Sequence, residues 1–153
     1  MKVLIATDGT KYAAAAVEML GKFALGGEDS VKIISVVDLA KPLAVDVYGG
    51  YLPDTTQLEK AARENAEKAV NATKERLAET FGEALPVSTE ILFGSPDSRI
   101  VETAEAMPAD LIVMGSHGYN RWERLLLGSV SHSVVHHAPC SVLVVRLSGE
   151  ADQ

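Results

Sequence analysis

The residues best suited to chemistry begin at position 115. The chain there reads Gly115-Ser116-His117-Gly118, then nine residues from Tyr119 to Leu127, then Gly128-Ser129, a Gly-x2-Gly-x9-Gly-Ser spacing. Glycine lets a backbone approach a phosphate chain and aim successive N–H groups at it. Ser129 and Val130 open a helical pattern, and a helix N-terminus favours anions. Arg121 and Arg124 lie in the intervening stretch and can add charge to the same anion. A second polar cluster, Thr7-Asp8-Gly9, follows the first apolar run. There Asp8 either caps the next helix or contacts a ligand, and the two roles are compatible.

Other constellations point less far. Ser116 beside His117 has the residue types of a nucleophile and its base, but adjacent loop residues are expected to diverge, and Gly-x-Ser-x-Gly is absent. His132 and His136 stand four apart, with His137 and Cys140 following, which raises the question of zinc. Pro139 interrupts that geometry and no acidic residue lies between the two histidines, so they read as a solvated helix face, Cys140 as a small buried hydrophobe and Trp122 as packing. Neither Gly-x4-Gly-Lys-(Ser/Thr) nor Gly-x-Gly-x-x-Gly occurs, and only Asp8 stands where a phosphoryl-receiving domain would cluster acids.

The elements that must position these groups alternate strictly. Short β-branched runs at 3–6, 31–37, 87–92, 111–114 and 142–145 are separated by stretches with apolar residues every three or four positions. The first such stretch carries Tyr12, Ala13, Ala16, Val17, Leu20 and Ala24, and the second Leu58, Ala62, Ala66, Ala69, Val70, Thr73, Leu77 and Phe81. A third helix is expected from Ser95 as N-cap with Pro96 at its first position, burying Ile100, Ala104 and Met107. A fourth runs from about Ser129 and stops before Pro139. The pattern predicts an α/β fold, one doubly wound domain over 1–147 with a five-stranded parallel sheet flanked by four helices. The third strand, with alternating Ser88 and Glu90, reads as an edge, whereas the first and fourth are apolar throughout and read as central. The segment from Asp38 to Thr55, with Pro42, Gly49, Gly50 and Pro53, reads as a long loop or flap, and 148–153 as a disordered tail.

With 47% hydrophobic but only 5% aromatic residues, the core must come from Val, Ile, Leu and Ala. A net charge of -7 and a pI near 5.0 repel phosphodiester backbones, so nucleic acid is not an expected partner. A nucleotide is still compatible, because local N–H groups and one or two arginines outweigh a net charge screened beyond roughly 8 to 10 Å. Apolar runs of about five residues fall far short of the roughly 20 that span a bilayer, so no membrane partner is expected. The single cysteine cannot form an internal disulfide, and the start carries no export pattern, so the expected location is cytoplasmic.

Four stretches together resemble the universal stress protein family, in its ATP-binding branch, along nearly the whole chain. They are 3–10 (VLIATDGT), 109–118 (ADLIVMGSHG), 125–131 (LLLGSVS) and 137–145 (HAPCSVLVV). The resemblance implies the universal stress protein-like, adenine nucleotide alpha hydrolase-like fold and ATP, with or without Mg2+, as ligand. It places Asp8 near the ribose or adenine side, Ala6 and Thr7 on the pocket floor and Val36 against the base. Met114 and Gly115 then end a strand against the nucleotide, Gly118 lets the loop turn, and Gly128, Ser129 and Val130 receive the phosphates. Tyr119, Asn120, Arg121 and Trp122 depart from the small residues common there in ATP-binding relatives. The implied function is a nucleotide-dependent stress-response or regulatory module with little hydrolysis and an unidentified protein partner. The alternatives are a nucleotide-free interaction protein of the same fold or a slow ATPase, for which only Asp8 and His117 offer a base. A homodimer through the fifth strand is also expected, because Val142-Leu143-Val144-Val145 is apolar on both faces and no helical pattern follows to cover its edge.

Overall fold

The computed structural model describes residues 1–38, 55–117 and 127–147. Five strands alternate with four helices: β1 (Lys2–Ala6), α1 (Lys11–Leu20), β2 (Ser30–Val37), α2 (Thr55–Phe81), β3 (Val87–Phe93), α3 (Pro96–Ala106), β4 (Leu111–Gly115), α4 (Ser129–His137) and β5 (Ser141–Val145). All pairings are parallel and the strand order is β3-β2-β1-β4-β5. β1 and β4 are therefore interior and β3 is an edge, as their composition predicts, and β5 is the other edge, as expected of the last strand.

Side chains alternate across a strand, so each strand feeds two cores. Val3, Ile5, Val31, Ile33 and Val113 face α1 and α2, where they meet Val17, Leu20, Val70 and Leu77. Leu4, Ile34, Ile112 and Met114 face α3 and α4, where they meet Ile100, Ala104 and Val134. Leu4, Ile5, Ile33, Ile34, Ile112 and Val113 are fully buried, and each such side chain stabilises the fold by about 1.5–3 kcal/mol. Strands loaded on both faces cannot stand at the surface of a sheet without cover, which is why helices occupy both sides.

The helix ends follow local chemistry. Ser95 is the N-cap of α3 and Pro96 stands within its first turn, and α4 ends at His137, with Ala138 extended ahead of Pro139. Three expectations shift. α1 stops at Leu20 rather than reaching Ala24, because the N–H groups of Gly21, Lys22 and Phe23 fold back on Val17, Met19 and Leu20 in tight turns. In the first turns of α2 Leu58 is exposed, and burial begins at Ala66. Met107 is half-buried at the C-cap of α3, not inside it.

α3 and α4 are latched by Asp97. Its carboxylate accepts the Ser95 hydroxyl at 2.6 Å and the Ser133 hydroxyl at 2.7 Å, and these bonds to its charged form hold its pKa below the ordinary 3.8. No described helix is long and apolar enough to cross a membrane.

Candidate functional site

The sheet reverses its winding between β1 and β4, and in open α/β sheets the ligand crevice opens at that reversal, beyond the strand carboxyl ends. Ala6 and Met114 are register partners there, and Thr7-Asp8-Gly9 and Gly115-Ser116-His117 continue from them. A concavity of about 420 Å3 at the opposite end of the sheet, lined by Lys2, Lys32 and Met107 among others, lies away from every one of these groups.

The turn after β1 is built by its own side chains. Thr7 donates its N–H to Ile34 at 2.9 Å, extending β1 one residue beside β2. Its buried hydroxyl lies 3.2 Å from that of Thr73, which also reaches the Ala69 carbonyl at 2.8 Å and so ties the turn to α2. Gly9 has φ +77, a conformation that costs other residues strain. One Asp8 carboxylate oxygen accepts both the Thr10 N–H, at 3.0 Å, and the Thr10 hydroxyl, at 2.6 Å. Asp8 thus does not cap α1 itself, as one of its two expected roles had it, but holds Thr10, the N-cap residue.

The motif after β4 is organised around Ser116, which is 1% exposed. Its N–H donates to Val145 at 2.9 Å and its carbonyl accepts the Gly128 N–H at 2.8 Å. The Ser131 hydroxyl lies 3.0 Å from the carbonyls of both Ser116 and Gly128, bracing the same junction. Two ends of the motif twelve residues apart are therefore clamped together, and the clamp sets the first turn of α4 at the carboxyl end of β4. The Gly128 N–H is engaged in the clamp and the His132 N–H closes the first helical bond on the Gly128 carbonyl at 2.9 Å, so the N–H groups of Ser129, Val130 and Ser131 are those that precede the first intrahelical bond of α4.

Ser116 and His117 do not diverge as expected, for Oγ and Nδ1 are 3.0 Å apart. The Ser116 side chain is buried, so its Oγ is not presented to solvent. The His117 ring leans on Tyr12 at 5.4 Å between centroids, and the Lys11 ammonium lies 5.7 Å from the Tyr12 ring. Gly115 is glycine for the same neighbour: a Cβ there would stand 2.7 Å from the Tyr12 Cβ and 2.8 Å from its carbonyl carbon.

Of the remaining expected site residues, Ala6, Val36 and Val130 are half-buried against the core on the α3–α4 side, Met114 is buried within it, and Ser129 is exposed. The Met114 side chain is thereby committed to packing, and only its backbone borders the crevice. Val36 lies two residues beyond Ile34, the partner of Ala6, and so reaches past the end of β1. Gly118, Arg121, Arg124 and Trp122 lie outside the described residues, as do 39–54 of the expected loop and the 148–153 tail. Sequence reading missed Tyr12, Thr73 and Ser131 as parts of this site. Only Ser131, one helical turn after Gly128, carried a local signal.

A parallel sheet wound both ways from β1, with two polar turns and the start of α4 at the carboxyl ends of β1 and β4, defines a doubly wound α/β domain. The family model described as the universal stress protein family matches residues 1–146, and the chain belongs to that family. A universal stress protein of Staphylococcus aureus (strain USA300) is 37% identical over 145 residues, covering 94% of this chain and 82% of the relative. Among solved structures, the universal stress protein UspA from Lactobacillus plantarum superposes with a TM-score of 0.70 at 29% identity, covering 95% of this chain and 97% of that one. A universal stress protein in complex with cAMP superposes with a TM-score of 0.67 at 24% identity, covering 97% of this chain and 98% of that one, which is a likeness of fold.

Proposed function

We propose that this chain binds ATP in the crevice between β1 and β4 and serves as a nucleotide-dependent stress-response or regulatory module with little hydrolysis. The observation that carries this reading is the 2.8 Å bond from the Gly128 N–H to the Ser116 carbonyl. It brings the start of α4 to the mouth of the crevice, where the N–H groups of Ser129 and Val130 suit a phosphate chain. Asp8 then lies on the ribose or adenine side and Val36 against the base, with Ala6 and Thr7 beneath and the backbone of Met114 and Gly115 alongside. Gly118 completes the motif by its sequence position. The ligand is ATP with or without Mg2+. Slow hydrolysis fits the state of the two candidate bases, for Asp8 holds Thr10 and His117 Nδ1 is engaged with Ser116.

ATP at about 100 times its dissociation constant should add roughly 2.7 kcal/mol to stability and raise the melting temperature by several degrees. No shift at millimolar ATP with Mg2+ would sink the proposal in favour of a nucleotide-free interaction protein. Ser129→Pro separates site from fold. Proline is tolerated at the first helical position, and Gly128, with φ −57 and ψ 157, already has the conformation a following proline demands. The variant should keep its melting temperature without ATP and bind ATP about 10- to 100-fold more weakly, the loss of one hydrogen bond to a charged group of about 1.5–3 kcal/mol.

We also infer a homodimer through β5. That strand is an edge with Val142, Leu143 and Val144 only half-buried, and Val135 of the neighbouring α4 is 45% exposed. The other edge, β3, instead exposes Ser88, Thr89 and Glu90, the usual protection of an unpaired strand. Light scattering should report about twice 16.3 kDa, and Val144→Pro should give monomer or insoluble protein. A clean wild-type monomer at tens of micromolar would refute the dimer and leave the nucleotide proposal standing.

A further inference from the structure

The histidines of α4 have no part in the crevice chemistry, yet two of them are arranged as ligands. His132 and His136 are exposed, and because α4 runs unbroken from Ser129 to His137 they share one face a turn apart. Their ring centroids are 4.5 Å apart with 40° between the planes. His136 Nδ1 lies 2.9 Å from the His132 carbonyl oxygen. A carbonyl can only accept, so Nδ1 carries the proton and the lone pair of the neutral ring sits on Nε2, directed away from the backbone. Such a bond to the non-ligating nitrogen is the outer-shell contact that fixes tautomer and ring orientation in histidine metal sites. Pro139, which argued against a site in the sequence, follows the helix end and leaves this pair undisturbed.

We propose that His132 and His136 form a bidentate surface site for a divalent transition-metal ion of the imidazole-binding class, Cu2+ more tightly than Ni2+ or Zn2+. Among the described residues no third His, Cys, Asp or Glu joins them, so water fills the remaining positions. Cys140 is not a ligand: it packs against the core on the α3–α4 side, and burial raises its thiol pKa, disfavouring the thiolate that metals bind. His137 is anchored apart from the pair, its Nδ1 2.8 Å from the Ser133 carbonyl on the flank that meets Asp97 of α3. Two imidazoles and no carboxylate exclude Mg2+ and Ca2+, which take oxygen ligands. The negative end of the α4 dipole lies at the same turn and adds to the attraction for a cation.

The test is calorimetric titration of untagged, nucleotide-free protein with Cu2+ in a non-chelating buffer, with electron paramagnetic resonance of the bound ion. One site per chain with two imidazole nitrogens is expected. H132A and H136A should each weaken binding at least about tenfold, since even outer-shell losses in histidine sites cost 10- to 100-fold, while H137A stays within about twofold of wild type. Both altered positions are exposed, and circular dichroism verifies that the fold is kept. The proposal is overturned if H132A or H136A binds Cu2+ as wild type does, if H137A is equally damaging, or if the spectrum reports coordination by the terminal amine and backbone amides.

Discussion

Gly115 and Gly128 belong to one motif and are glycine for different reasons. At Gly115 the end of β4 runs against the first turn of α1, so closely that a Cβ would stand 2.7 Å from a side-chain atom and 2.8 Å from a backbone atom of Tyr12. At Gly128 the nearest obstacle is a single carbonyl oxygen, that of Ser116, at 3.0 Å. The first glycine is required by helix-on-sheet packing whether or not a ligand ever arrives. The second permits a clamp between two loop ends, and the clamp holds the start of α4 at the carboxyl end of β4. A glycine motif can therefore combine residues that hold the fold with residues that shape a site, and spacing alone does not sort them.

The largest effect expected from breaking this comparison is at Gly115→Ala. The added carbon meets backbone that cannot rotate away, so α1 must move as a body. Overpacking of this kind costs about 1–3 kcal/mol, and each kcal/mol lowers the melting temperature of a domain this size by about 2–4 °C. A wild-type melting curve without nucleotide would remove the packing account of that glycine. Gly128→Ala should cost less, about 1 kcal/mol, because φ at Gly128 is −57 and an added Cβ crowds the Ser116 oxygen alone, with His117 Cα and Ser131 Oγ at ordinary contact distance. Its signature is a loss of ATP-induced stabilisation larger than the loss of intrinsic stability. If the two variants lose both in equal proportion, the division of labour between the glycines fails.

The smallest effect tests whether α4 is held by the clamp at its start or by the Asp97 latch along its length. Ser133→Ala removes one of the two hydroxyls that depress the Asp97 pKa and should cost about 0.5–1.5 kcal/mol at pH 7. Because the folded pKa lies below the unfolded 3.8, this stabilisation is fully present above 3.8 and fades as pH falls through the folded value. Wild type and Ser133→Ala should therefore differ at pH 7 and converge in acid, as followed by urea unfolding at each pH. A gap that stays constant down to about pH 2 would mean that the serine acts through packing and not through the Asp97 charge.

Much of the fold was legible because its signals are local. Short β-branched runs set apart from stretches with apolar residues every three or four positions separated strands from helices, Pro96 and Pro139 marked helix limits, and Ser88 and Glu90 marked β3 as an edge, each through constraints acting within a few residues. The chain also carried the glycine spacing and Asp8 in plain view. Local pattern misled at two positions: Ala24 and Leu58 continue their periods, but Ala24 lies beyond the end of α1 and both are exposed.

The sequence by itself determined the alternating elements, the two-sided burial of the inner strands and the residue types gathered beyond the carboxyl ends of β1 and β4. The tertiary structure alone decided which of those residues touch. Tyr12 against Gly115 spans about a hundred positions of chain, Thr73 beside Thr7 joins α2 to the turn after β1, and the Ser116 carbonyl receives Gly128 and Ser131 only because α4 returns over the end of β4. Such contacts leave no periodic trace. Each follows from where packed helices and strands come to rest, and that position is set by the summed burial of residues distant from the contact itself.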